Sequence, residues 1–133
     1  MVTDTNVILR YLVRDGGKLA EQAIQYVEQA KDILVTDVVL MECVYVLLGQ
    51  YNKTREQVCQ ALTMFLAREN VQYVEGIAAD YLALYAAETL DLADCYLIVY
   101  AKKYRLPLKT FDKKMQRVYK AEVANTAEAH AGF

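Results

Sequence analysis

A chain of 133 residues with 56% hydrophobic and 24% charged side chains can close one core, and this balance excludes a disordered or fibrous chain. Net charge is only −2, so charge taken over the whole chain gives no case for a nucleic-acid partner. Apolar stretches such as "VVLM" and "VYVLL" break within a few residues, far short of the roughly 18 to 20 that cross a bilayer, and no export signal is expected. A single domain over 1–133, cytoplasmic and without membrane association, is expected.

In chain order, "TDTNVILRYLV" at 3–13 places Thr3 and Asp4 at the end of a short first strand. Val7, Ile8, Tyr11 and Leu12 then recur at helical spacing and predict a helix over 6–14, capped by Asn6 and closed by "DGG". A second helix is expected over about 18–30. "DILVTD" gives a strand at 33–35, continuous in its apolar run as a parallel strand buried on both faces would be. Asp37 is placed to cap a helix through about 50, and Thr54 another over 54–68. "VQYVEG" at 71–76 is a further strand, rich in Val and Tyr. Helices follow at 77–89 and 92–104, the second capped by Asp91. "RLPLKTFD" supplies a strand at 107–110, "DKKMQRV" a helical turn, and 122–125 a last edge strand. Residues from about 126 to 133, with the lone His130, read as a loosely ordered tail. Strands alternating with helices indicate an α/β domain with a parallel sheet.

Ligands of such sheets sit beyond the carboxyl ends of the strands. Asp4 ends the first strand, Asp112 ends the strand at 107–110, and Asp94 lies one turn into a helix that runs back toward that edge. Glu42 is five residues beyond Asp37, and its long side chain tilts toward the helix start. Four carboxylates meeting at one rim would repel one another without a cation. Mg²⁺ or Mn²⁺, which prefers oxygen ligands, resolves that repulsion better than zinc. Glu42 and Asp94 lie among apolar neighbours ("VLMECVYVL", "LADCYLIVYA") and are expected to be partly buried, where an acid needs a partner.

Eight of the fifteen basic residues fall between Lys102 and Lys120, opposed in that span by Asp112 alone. Lys109, Lys113, Lys114 and Arg117 in that stripe are candidates to hold nucleic-acid phosphates, the alternative being a solvated helix face with its loop. Tyr96, Tyr100 and Tyr104 recur at four-residue spacing, which fits core packing better than base stacking or a dimer face. Cys43, Cys59 and Cys95 are odd in number and lack C-x-x-C spacing, so they read as small buried hydrophobes, not disulfide or zinc ligands.

The motifs "DTNVILRYL", "MECVYVL", "LADCYLIVYA" and "KTFDKKM", in this order and at this spacing, resemble the PIN domain, and specifically the VapC-type toxins of bacterial and archaeal toxin–antitoxin pairs. The resemblance covers nearly the whole chain. It implies a three-layer α/β/α PIN-like domain with a central, mostly parallel four- to five-stranded sheet. It also implies a Mg²⁺-dependent endoribonuclease in which Asp4, Glu42, Asp94 and Asp112 hold the metal and carry catalysis by activated water. Asn6 matches the asparagine that supports the first aspartate, and Thr110 the hydroxyl residue before the last. Family members dimerise and are silenced by a cognate antitoxin protein. The chain departs from the pattern in a short start, Met1 to Thr3 before Asp4, and in Cys95 after the third acid.

Other folds with an acid at a strand end fit less well. A dehalogenase-type phosphatase needs an aspartate where Asn6 stands, and neither G-x-G-x-x-G nor G-x-x-x-x-G-K occurs. The alternative from another class is a non-catalytic PIN-like scaffold that binds RNA or protein, against which the full acidic set counts.

Overall fold

The structure, a computed structural model, describes the backbone of residues 1–131 and the side chains of residues 1–125. The tail expected at about 126–133, with His130, therefore falls outside the described side chains. Among the described residues there are seven helices and two strands: α1 (Thr5–Val13), α2 (Gly17–Gln29), β1 (Ile33–Val35), α3 (Asp37–Gly49), α4 (Arg55–Leu66), β2 (Val71–Tyr73), α5 (Ala78–Ala87), α6 (Leu92–Tyr104) and α7 (Lys113–Ala131). No described helix is long and apolar enough to cross a membrane. The chain divides into two compact units, Met1–Ala79 and Asp80–Phe133.

In the first unit, β1 and β2 pair in parallel with Ile33 opposite Val71 and Val35 opposite Tyr73. On the other side of β1, Val2 forms an isolated parallel bridge to Leu34, closed by Thr3 N–H to the Leu34 carbonyl at 3.2 Å and Leu34 N–H to that of Met1 at 2.7 Å. The chain keeps the α/β class, but the described residues are mostly helical and hold two parallel strands and one bridge in place of the expected three-layer arrangement around a central sheet of four to five strands. The first strand shrinks to a bridge because Asp4 already turns the chain into α1.

Asn70 ties the small sheet to the end of α2, its side-chain amide donating to the carbonyls of Val27 at 2.8 Å and Ala30 at 3.0 Å. Ile8, Ile33, Val35, Leu40 and Leu62, all without exposed surface, form the centre of this unit's core. Thr36, not Asp37, caps α3, its hydroxyl accepting from Val39 N–H at 3.4 Å. Thr54 caps α4 as expected, within a reciprocal capping box with Gln57, the two bonds being 3.1 and 3.0 Å. Thr54→Ala removes one half of that box, and a loss of about 1 kcal/mol in urea unfolding is the expected result.

In the second unit, α6 spans the residues its periodicity predicts. It ends in a Schellman motif: Arg105 takes left-handed angles (φ 55, ψ 44), its N–H reaching the Lys102 carbonyl at 3.3 Å and the Leu106 N–H that of Ala101 at 2.9 Å. The strand expected at 107–110 does not form. Pro107 has no N–H to give a ladder, and flanking carbonyls are taken by side chains of α7: Tyr119 Oη donates to Leu106 O at 2.7 Å and Gln116 Nε2 to Thr110 O at 2.6 Å. The edge strand expected at 122–125 is helix as well. Glu122, Val123, Ala124 and Asn125 continue α7 with no glycine or proline to interrupt it, and Val123 alone gives only weak β preference.

Buried Met115 and the Lys102–Glu122 ion pair, at 3.0 Å, join α7 to α6. The tyrosine stripe continues a ring ladder that begins at buried Tyr81: its centroid is 5.6 Å from Tyr96, Tyr96 is 5.8 Å from Tyr100, and Tyr100 is 4.7 Å from Tyr104. Its inner end is core and its outer end, Tyr104, is exposed. Cys43, Cys59 and Cys95 are buried and in no disulfide among the described residues, as small hydrophobes would be.

Candidate metal centre

Asp4 stands where the chain leaves its bridge to β1 and enters α1. It is the N-cap of that helix, in place of the expected Asn6, and its Oδ1 accepts the Thr5 N–H at 2.7 Å. The next side chain links it to the second acid, for Thr5 Oγ1 donates to Glu42 Oε2 at 3.0 Å. Glu42 therefore reaches back along α3 to the start of α1, as its side-chain tilt allows. It is exposed, however, not partly buried as its apolar neighbours suggest. Cys43 registers the charge of both acids: burial pushes its thiol up to about 12, and Glu42 and then Asp4 push in the same direction. Such a thiol stays protonated at neutral pH.

Beside Asp4 opens a groove of about 570 Å³, bordered by Asn6 and Arg10 on α1 and by Gln22 and Tyr26 on α2. The Asn6 amide forms no hydrogen bond among the described residues, so support of Asp4 by a direct bond is not realised. Thr3 Oγ1, buried next to Asp4, also lacks a partner among the described residues.

In the second unit, Asp94 lies in the first turn of α6 and is half-buried. Its carboxyl is held above the usual carboxylate range, first by desolvation and then by the negative charges of Asp91 and Asp112. Asp91 occupies the N-cap position, but its side chain makes no capping bond. Asp112 is not at a strand end. It caps α7, with Oδ1 accepting the Met115 N–H at 2.9 Å and its carbonyl the Gln116 N–H at 3.0 Å. Thr110 fixes the approach, its hydroxyl oxygen accepting the Asp112 N–H at 3.1 Å. Lys109, Lys113 and Arg117 are exposed around this bend and Lys114 is half-buried.

The structure thus joins Asp4 to Glu42 through Thr5, and brings Asp94, Asp91 and Asp112 within electrostatic reach of one another. Within each unit no described lysine or arginine forms an ion pair with these acids. Nor, among the described residues of each unit, do three His, Cys, Asp or Glu side chains gather into a group that could hold a metal. The donors nevertheless suit a hard cation. They are carboxylate oxygens with uncompensated charge, and Mg²⁺ characteristically takes one or two carboxylates and keeps its other positions for water and phosphate. Thr5 escaped the sequence reading because its role is a bond across 37 residues. Asp91 reads from sequence first as a helix cap and second as a member of the acidic cluster, and its charge does act on Asp94.

The chain matches the family profile described as PIN domain over residues 1–121. No curated protein and no solved structure matches it at a significant level.

Proposed function

The chain belongs to the PIN domain family, whose fold is generally that of a nuclease, and from that premise we propose that it is a Mg²⁺-dependent endoribonuclease and the toxin of a type II toxin–antitoxin pair. The observation that carries the reading is the pairing of acids at the motif positions, Asp4 with Glu42 and Asp94 with Asp112, without basic partners in their own units. All four acids are ligands in this reading, Asp4 with Glu42 in one unit and Asp94 with Asp112 in the other, Asp4 and Asp94 being the principal ones, and Mn²⁺ substitutes for Mg²⁺. When bound, such an ion supplies Lewis-acid chemistry, acidifying water and offsetting charge on a phosphoryl group. The residues of the chain do the rest. Thr5 and Thr110 hold the backbone and side chains of the acids in place, and the exposed lysines around Asp112 receive flanking phosphates.

Purified protein is expected to cut RNA internally with Mg²⁺ or Mn²⁺ and to stop when EDTA is added. Failure to cut any RNA in either metal would leave the non-catalytic scaffold as the better account. The partners in this reading are the RNA substrate, a second copy of the chain and a separately encoded antitoxin that covers the acids; the neighbouring reading frame is where the antitoxin is to be sought. The cytoplasm is the proposed compartment.

Replacing Lys109, Lys113, Lys114 and Arg117 together by alanine should flatten the dependence of RNA affinity on salt. If all four contact phosphate on a single strand, the slope of log K against log salt falls by about 2.8, at roughly 0.7 per contact. An unchanged slope in filter binding would remove the stripe from the interface.

A further inference from the structure

Phe111 is 89% exposed, more than any other large hydrophobic side chain among the described residues. It does not sit on a loose loop. On its N-terminal side the Thr110 carbonyl is held by Gln116 at 2.6 Å, and on its C-terminal side Asp112 is bonded to Thr110 Oγ1 at 3.1 Å and to Met115 N–H at 2.9 Å. The backbone is held on both sides of a ring that is left almost wholly open to solvent. Lys109 Nζ stands 5.1 Å from the ring centroid, and Lys113 and Arg117 follow, exposed, on the first turns of α7.

An exposed aromatic face wants an apolar or π surface over it, while the cations around it want to keep water or gain anions. An apolar protein face would satisfy the ring and strip the cations. A nucleic-acid strand satisfies both, since every base offers a π face and every linkage a phosphate. A base inside a duplex has both faces covered by its neighbours, so the ring can be covered only by an unstacked base.

We propose that Phe111 is a stacking platform for an unpaired RNA base, with the adjoining phosphates on Lys109 and Lys113, and that the strand is therefore single at the point where it passes Asp112. The assignment of Asp112 to the cleavage site rests on the ribonuclease reading; the stacking itself does not require cleavage.

The test uses the full chain with Ca²⁺ in place of Mg²⁺ and short single-stranded RNAs carrying 2-aminopurine at successive positions. Native protein is expected to quench the probe at one position. Phe111→Ala and Phe111→Leu should abolish the quenching and weaken binding on the order of tenfold, whereas Phe111→Trp should keep both. Because the side chain is exposed, circular dichroism spectra of all three variants should match the native protein. Equal quenching and affinity in Phe111→Ala would overturn the proposal, as would unchanged RNA binding with a shift in oligomeric state by sedimentation, which would make the ring a protein contact. Quenching by a protein that cuts no RNA in Mg²⁺ would refute the nuclease reading alone. Cleavage without ring-dependent quenching would refute the stacking alone.

Discussion

Asp94→Asn should abolish metal-dependent cleavage of RNA and, in the absence of metal, raise the melting temperature of the protein. The two effects have one origin. Asp94 is half-buried, and desolvation together with Asp91 and Asp112 makes its ionised form unfavourable in the folded state. In the proposed function that penalty is what a bound divalent cation would relieve. Removing the charge removes a principal ligand, and since metal-ion stabilisation contributes several kcal/mol to such a transition state, a rate loss of roughly a thousandfold is expected.

The stability change has a definite pH dependence. A carboxyl whose folded pKa is raised above the ordinary 3.8 penalises the fold fully at pH values above its folded pKa. The penalty shrinks as pH falls through that value and is gone below 3.8. The melting advantage of Asp94→Asn in EDTA should therefore be present at neutral pH and disappear in acid. Mg²⁺ should raise the melting temperature of the native protein and leave the variant unmoved. A variant that melts lower than the native protein in EDTA at neutral pH would contradict this account of the residue.

The second expected result separates two roles of Asp112. Its Oδ1 caps α7, and the proposed function makes the same carboxylate a metal ligand. Asparagine caps a helix about as well as aspartate, whereas alanine costs about 1 kcal/mol. Asp112→Asn should therefore keep the unfolding midpoint and lose cleavage by about a hundredfold or more, for loss of one charged ligand. Asp112→Ala should lose both. Full cleavage by the asparagine variant would reduce Asp112 to a helix cap.

Local signals made much of this fold legible. The apolar run at 33–35 and the helix over 92–104 stand where patterning puts them: Ile33, Leu34 and Val35 are bounded by polar residues, and the buried Leu92, Cys95, Ile98 and Val99 recur at helical spacing. Tertiary competition hid the rest. The stretch 107–110 carries strand-forming residues, yet its flanking carbonyls are claimed by Tyr119 and Gln116, thirteen and six residues further on. Residues 122–125 follow the strong helical preference of their surroundings.

The acids at the four motif positions were legible as residue types in order, but not in their settings. Apolar neighbours on α3 suggest a buried Glu42, but that helix is hydrophobic all round, and Val38 and Tyr45, four residues before and three after, are 73% and 63% exposed. With such a helix, sequence cannot say which face is covered. Asp4 and Asp112 each prove to be helix caps as well as candidate ligands, and nothing in a capping signal distinguishes the two uses.

The central claim of the proposed function is that Asp94 and Asp112, which share one unit and feel each other's charge, bind a hard cation. Crystals soaked in Mn²⁺ and measured at the manganese absorption edge test it without reference to any RNA. An anomalous peak at about 2.1 Å from carboxylate oxygens of both residues is the predicted result. A peak bound elsewhere, or none at millimolar Mn²⁺ with both carboxylates ordered, would contradict it.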